Sequence, residues 1–264
     1  MQSITSEFLK SLQPIQLDDE VRLGSMGGDG GYVVPLRAIN RSDLLISLGY
    51  GFNFSFEKHF LSQSQNKDVL LFESSINLRS ALSQFFTDSY RRLLRQRGFP
   101  LFRVKQLLNL IQVLMTPRII YHTKEVRKTA TNKNQIAFET IMSTISRSDT
   151  VILKIDIEGA EYEILFNATK LTKINCLIIE FHDINRKMDL FLTILYQLRS
   201  HFVISHLHIN NFVEQKDGVP DVIELTLINK LLLQKEELKT LKKVLPISLD
   251  RPCNPRIPDN EIIF

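Results

Sequence analysis

Two cysteines are all that this 264-residue chain carries, Cys176 in an apolar run and Cys253 in a proline-rich tail. That scarcity excludes a disulfide framework and a cysteine-built zinc cluster. Long apolar runs are missing as well. The longest, residues 107–115, falls far short of a bilayer span and is interrupted by Asn109 and Gln112. Residues 1–14 lack an apolar core of signal-peptide length, so a cytoplasmic location is the default expectation. No Walker sequence occurs, which argues against a P-loop hydrolase, and the full Gly-x-Gly-x-x-Gly fingerprint is lacking. The Asn-Pro-Pro-Tyr type of motif that serves exocyclic amines is absent too.

What is present has the hydrophobic share (44%) and charged share (23%) of an ordinary soluble globular protein. The net charge of +4 hides an asymmetry. Residues 79–133 hold twelve Lys and Arg against Asp88 and Glu125, a local +10, while the rest of the chain nets −6. Such a block suits a phosphorylated substrate, an anionic membrane surface or nucleic acid; a solvated helix face is the plain alternative.

Half of the ten glycines lie between positions 24 and 31, where they read as a tight turn between strands at 21–25 and 32–34. Short apolar strands are expected at 43–48, 68–72, 118–122, 150–155 and 176–180, with helices at 54–64, 135–145, 159–166 and 188–200 between them. Residues 76–115 read as helical and basic, broken at Gly98-Phe99-Pro100. Segments 202–209 and 222–228, joined through Asn210-Asn211 and Asp217-Gly218, read as a hairpin that adds an antiparallel strand at one sheet edge. An amphipathic helix is expected over 231–244. The alternation predicts one α/β domain spanning 1–264, a mainly parallel twisted sheet covered on both faces. Within it, an N-terminal helix and glycine-turn hairpin occupy 1–35, and a basic helical insertion about 79–117.

In an open parallel sheet, ligands bind beyond the carboxyl ends of the strands. Here those ends are Gly49-Tyr50-Gly51, Glu73, Asp156-Ile157-Glu158-Gly159 and His182-Asp183. Glycine lets a ligand approach the backbone closely, and an acid at the second strand's end can accept hydrogen bonds from ribose hydroxyls. Together they fit a nucleoside cofactor. The plain readings are a solvated strand end for Glu73 and a strand-to-helix turn with capping acids for 156–159.

Leu153 to Leu165, with its Asp-x-Glu-Gly-x-Glu core, resembles the signature of the FkbM-type methyltransferases. Leu71-Phe72-Glu73-Ser74-Ser75, followed by Asn77 and Leu82, is similar to that family's second strand and following helix. Residues 138–142 and 178–182 are similar to its next helix and fifth strand, in the same order. Arg22-Leu23-Gly24 with Asp29-Gly30-Gly31-Tyr32 resembles a subgroup carrying an N-terminal Asp-Gly-Gly-Tyr turn. The resemblance covers roughly residues 21–228. It implies a Rossmann-like methyltransferase fold and methyl transfer from S-adenosylmethionine, usually to oxygen. Gly49, Gly51, Glu73, Ser74 and Asp156 then fall in the cofactor site. The family's acid just before the first glycines is missing in Ser47-Leu48-Gly49, and Asp29 is expected to replace it.

A hydroxyl is a poor nucleophile and needs its proton removed or its pKa lowered. Asp156 is placed by topology beside the transferred methyl, with Glu158 supporting it or the helix start. Strand alternation puts Ile204, His206, His208 and Asn210 on one face, with His182 at the end of the next parallel strand. Asp156, His182 and His208 are therefore expected to activate the acceptor, directly or by holding Mg²⁺ or Mn²⁺. A hydrogen-bonded structural histidine is the plain reading for either strand histidine. The acceptor expected is a sugar hydroxyl, on a nucleotide-activated sugar or a surface polysaccharide. An RNA or DNA methyltransferase and a non-catalytic cofactor-binding scaffold are the competing functions.

Overall fold

The computed structural model describes residues 8–76, 78–94, 101–146, 150–212 and 219–264. Asn77, the break at 98–100 and Asp217-Gly218 lie outside the described residues. Strands β1 (Glu20–Gly24) and β2 (Gly31–Pro35) form the expected antiparallel hairpin around the glycine turn. The turn is as tight as glycine permits. A Cβ on Gly24, where φ is +94°, would lie 2.2 Å from the Gly30 carbonyl oxygen.

A seven-stranded sheet follows, built from β3 (Leu44–Leu48), β4 (Asp68–Phe72), β5 (Ile119–His122), β8 (Val151–Ile155), β9 (Ile174–Phe181), β10 (Phe202–Ile209) and β11 (Ile223–Asn229). Its spatial order is β10-β11-β9-β8-β3-β4-β5. The β3–β4, β3–β8, β4–β5 and β8–β9 pairs are parallel. Counting only these strands and β10, the order is the doubly wound Rossmann one, with the reversal at β3. The helices between them are α1 (Leu36–Asn40), α2 (Ser55–Ser62), α3 (Leu78–Leu94), α4 (Leu101–Met115), α5 (Phe138–Thr144), α6 (Glu161–Leu165) and α7 (Ile184–Leu198).

Several expectations are corrected. The antiparallel strand is not at the edge: β11 inserts between β9 and β10, pairing antiparallel with both, and β10 becomes the edge strand. Residues 135–137 form β7, paired parallel with β6 (Glu125–Arg127), so the helix there starts at Phe138. The helix expected over 231–244 does not form. Only the short turns Lys230–Leu232 and Glu237–Lys239 and the strand β12 (Val244–Leu245), paired with β13 (Ile262–Ile263), appear. The backbone there bonds to the N-terminal segment instead, Gln16 N–H to Thr240 O and Lys242 N–H to Pro14 O. Buried Lys242 reaches Glu20 at 2.7 Å. A helix would break these contacts, so tertiary pairing overrides the amphipathic pattern.

The two faces of the sheet differ. One is dry, packing Leu48, Leu153, Ile155, Leu177, Ile179, Phe181, Leu225 and Leu207 into one apolar cluster. The other is apolar at its centre but turns polar where it meets β1, β2 and α2. Ser47, Lys154, Glu180, Glu224, Thr226, His206 and His208 are all buried there.

A row of acids and histidines at the strand ends

The ends of β3, β4 and β8 enclose a cleft of about 440 Å³, lined by Gly49, Gly51, Glu73, Ser74, Ser75, Asp156, Glu158 and Gly159 among others. Gly49 (φ +82°) has no room for a side chain: a Cβ would lie 1.8 Å from the Asp156 carbonyl oxygen. A Cβ on Gly51 (φ +52°) would meet open space. Glu73 accepts from the Ser75 N–H (2.8 Å) and hydroxyl (2.6 Å) through one oxygen, and from the Tyr50 N–H (3.4 Å) through the other. Its carboxylate is thus fixed beside the glycine loop. Glycines, an acid at the second strand end and a cleft of nucleoside-binding size fit the expected cofactor.

Beside Asp156, buried behind the cleft lining, lies a row of ionic side chains. Glu180 pairs in register with Glu224, and Glu224 with His208. Asp156 follows the registered pair Ile155–Ile179, so it stands beside Glu180. In-register side chains share a face, which sets Asp156, Glu180, Glu224 and His208 in one row. Lys154 runs beneath it, donating to Gly49 O (2.9 Å) and lying 3.7 Å from Asp156. Burial works against its charge, yet Asp156, Glu57 and Glu180 outweigh that and raise its pKa.

His182 is held firmly. Its Nδ1 is 3.0 Å from Glu161 Oε1, which also accepts the His182 backbone N–H at 2.8 Å. The other Glu161 oxygen accepts the Gly159 N–H at 2.7 Å, and the side chain is fully buried. Burial opposes the imidazolium, but the Glu161 hydrogen bond, Glu180 and Asp156 push the His182 pKa up to about 9. Burial, with Asp156 and Glu224 adding, raises Glu180 well above the usual carboxylate range.

The expected trio of Asp156, His182 and His208 is therefore divided. One oxygen or nitrogen each from Asp156, Glu180 and His182 gathers within 4.8 Å, and His208 belongs to a separate group with Glu224 and Cys253. Strand β11 lies between His182 and His208, where direct parallel neighbours were expected. His208 sits between Glu224 (2.8 Å) and Asp259 (2.9 Å), which hold it charged despite burial. Alternation also fails at one point. A bulge between Ile204 and His206 turns Ile204 into the dry core, away from His206 and His208. His206 contacts Asp250 at 2.8 Å, a structural pairing with the tail.

Glu158 is exposed, lines the cleft and has a left-handed φ of +51°. Glu161, in the first turn of α6, accepts the Gly159 N–H just ahead of the helix. Asp29 caps its own turn through the Gly30 N–H (2.7 Å) and is not among the cleft-lining residues. Desolvation and the charges of Glu224 and Asp156 raise its pKa. Lys154, Glu161 and Glu180 escaped sequence reasoning. Two of them carried a signal: Glu180 is two residues before His182, on the same face of an expected strand, and Glu161 is the last acid of Asp-x-Glu-Gly-x-Glu.

Residues 103–217 match the model of the methyltransferase FkbM domain, which bears out the family resemblance over that stretch. No curated protein sequence matches the chain. Among solved structures, the Methanococcus jannaschii fibrillarin pre-rRNA processing protein is 13% identical, covering 81% of this chain and 84% of that one, with a TM-score of 0.39. A putative rRNA-methylase from Clostridium thermocellum is 11% identical, with coverages of 71% and 86% and a TM-score of 0.38. Spermidine synthase from Thermotoga maritima is 10% identical, with coverages of 84% and 73% and a TM-score of 0.37. Such loose likenesses bear on no chemistry.

Proposed function

We propose that this chain, with its FkbM methyltransferase domain over residues 103–217, moves the methyl group of S-adenosylmethionine to a hydroxyl of a saccharide. The observation that carries the reading is the meeting, at Asp156, of a nucleoside-sized cleft with the Glu180 and His182 side chains. Gly49, Gly51, Glu73 and Ser74 would hold the cofactor, which supplies an electrophilic methyl on sulfur. The acceptor oxygen would lie on the far side of Asp156, toward Glu180 and His182. Asp156 would take up its proton, and the cofactor, when bound, would supply the methyl group to that oxygen while the carbon–sulfur electron pair stays on sulfur. Holding both reactants in line supplies much of the acceleration. The carboxylates of Asp156 and Glu158, which line the cleft, suit a polyhydroxyl acceptor, since each can take two hydroxyl hydrogen bonds.

Labelled S-adenosylmethionine incubated with nucleotide sugars, glycans and RNA tests the reading. Label should enter a saccharide; label confined to RNA would make the chain a nucleic-acid methyltransferase, and none anywhere a scaffold. Glu73→Ala should weaken cofactor binding by about 1–3 kcal/mol, the worth of hydrogen bonds to a charged group. Unchanged affinity by calorimetry would remove Glu73 from the ribose site.

The basic insertion supports a further element of this reading. On α4, Leu101, Leu108, Ile111 and Met115 form one exposed apolar stripe, and Phe86 and Tyr90 of α3 are exposed as well. Arg79 and Lys105 are exposed beside them. Exposed apolar side chains accompanied by Arg79 and Lys105 fit an anionic membrane surface. Among the described residues no helix is long and apolar enough to cross a membrane. Flotation with phosphatidylglycerol vesicles should recover the protein at low salt and lose it at high salt or in the double variant Arg79→Glu, Lys105→Glu. Equal recovery with phosphatidylcholine alone would rule out a charge-based contact.

A further inference from the structure

We propose that Asp156, Glu180 and His182 form a divalent-metal site on the acceptor side of the cleft, and that it takes Mn²⁺. The proposal rests on the methyltransferase reading and deepens it. Donor atoms from the three side chains lie within 4.8 Å of one another. His182 Nε2 and Glu180 Oε1 are 3.8 Å apart, too far for a hydrogen bond. Bonds of about 2.1 Å to an octahedral ion place neighbouring donors about 3 Å apart, so a small side-chain rotation completes the set.

The backing of His182 is the second observation. Its Nδ1 is 3.0 Å from the fully buried Glu161, which leaves Nε2 to point at the carboxylates. A ligating histidine is held in this way, with its other nitrogen on a carboxylate that fixes ring and tautomer. The group of His208, Glu224 and Cys253 is equally compact but differs on this point. His208 Nδ1 is 2.8 Å from Glu224 and Nε2 2.9 Å from Asp259, so both nitrogens are already engaged. An ion there would have to displace a direct carboxylate hydrogen bond from His208, whereas His182 Nε2 makes none.

Charge agrees. Asp156, Glu180 and Glu224 stand side by side, and Lys154 offsets one of them. Two carboxylates favour a hard ion such as Mg²⁺ or Mn²⁺, and the imidazole favours Mn²⁺ of the two. Asp156 and His182 are partly exposed, which leaves positions for water or an acceptor hydroxyl. Such an ion lowers the pKa of a hydroxyl it meets.

Titrating the metal-stripped full chain with Mn²⁺, and following free Mn²⁺ by electron paramagnetic resonance, tests this without recourse to activity. One ion per chain is expected. Glu180→Gln, which keeps the shape of the site, and His182→Gln should each weaken binding at least tenfold. Glu161→Gln should weaken it by about 10- to 100-fold through loss of the orienting contact. Cys253→Ser should leave it unchanged. Absence of saturable binding, or binding lost in Cys253→Ser and kept in Glu180→Gln, overturns the site. Cofactor affinity measured on the same samples separates the two ideas. No Mn²⁺ binding with the cofactor still bound defeats the metal alone, and the converse defeats the methyltransferase reading.

Discussion

Asp156→Asn is expected to lower methyl transfer by about 10²–10⁴-fold while S-adenosylmethionine still binds. The amide fills the same space and keeps the backbone carbonyl against Gly49, so the cofactor cleft retains its shape. What disappears is the charge at the junction between cleft and ionic row. Lys154, 3.7 Å away, loses one partner but keeps its bond to Gly49 O and the nearby charges of Glu57 and Glu180. The fold should therefore survive. Single-turnover rates with labelled cofactor, beside a calorimetric affinity, distinguish the outcomes. Wild-type turnover in this variant would take Asp156 out of the chemistry. Loss of cofactor binding with a preserved melting temperature would make it a binding residue only.

A second large effect is expected at Gly49→Ala. The left-handed φ of +82° costs an L-residue about 1–2 kcal/mol. The added methyl also meets the Asp156 carbonyl oxygen at 1.8 Å, a backbone atom that cannot rotate away. Overpacking of this kind adds about 1–3 kcal/mol. A loss of about 2–5 kcal/mol should appear as a melting point several degrees lower or more, since about 2–4 °C accompany each kcal/mol in a chain of this size. Because relief requires β3 and β8 to part at their ends, cofactor affinity should fall as well. Gly51→Ala is the matched comparison, with a similar φ and open space around the Cβ. If both variants melt alike, the close approach of the two strand ends carries no energy.

Much of the sheet was legible because its strands announce themselves. Leu44-Leu45-Ile46 and Val151-Ile152-Leu153 are continuous apolar runs, the mark of strands covered on both faces. Gly49, Glu73 and Asp156 were legible for a related reason. In a parallel sheet every strand ends on the same side, so a glycine or acid just past a run is placed by topology alone. The segment 231–244 was not legible, because its helical periodicity competes with pairing to residues 14–16, more than two hundred positions away.

The sequence by itself determined the kind of sheet and the resemblance of residues 103–217 to the FkbM methyltransferase domain, since both follow from local patterns. Only tertiary structure decided which of the charged side chains meet. Strand β11 slides between β9 and β10 and brings Glu224 to His208, while Glu161 folds back to grip His182. Both contacts depend on strand order and side-chain burial, and neither property is written in the spacing of residues along a single segment.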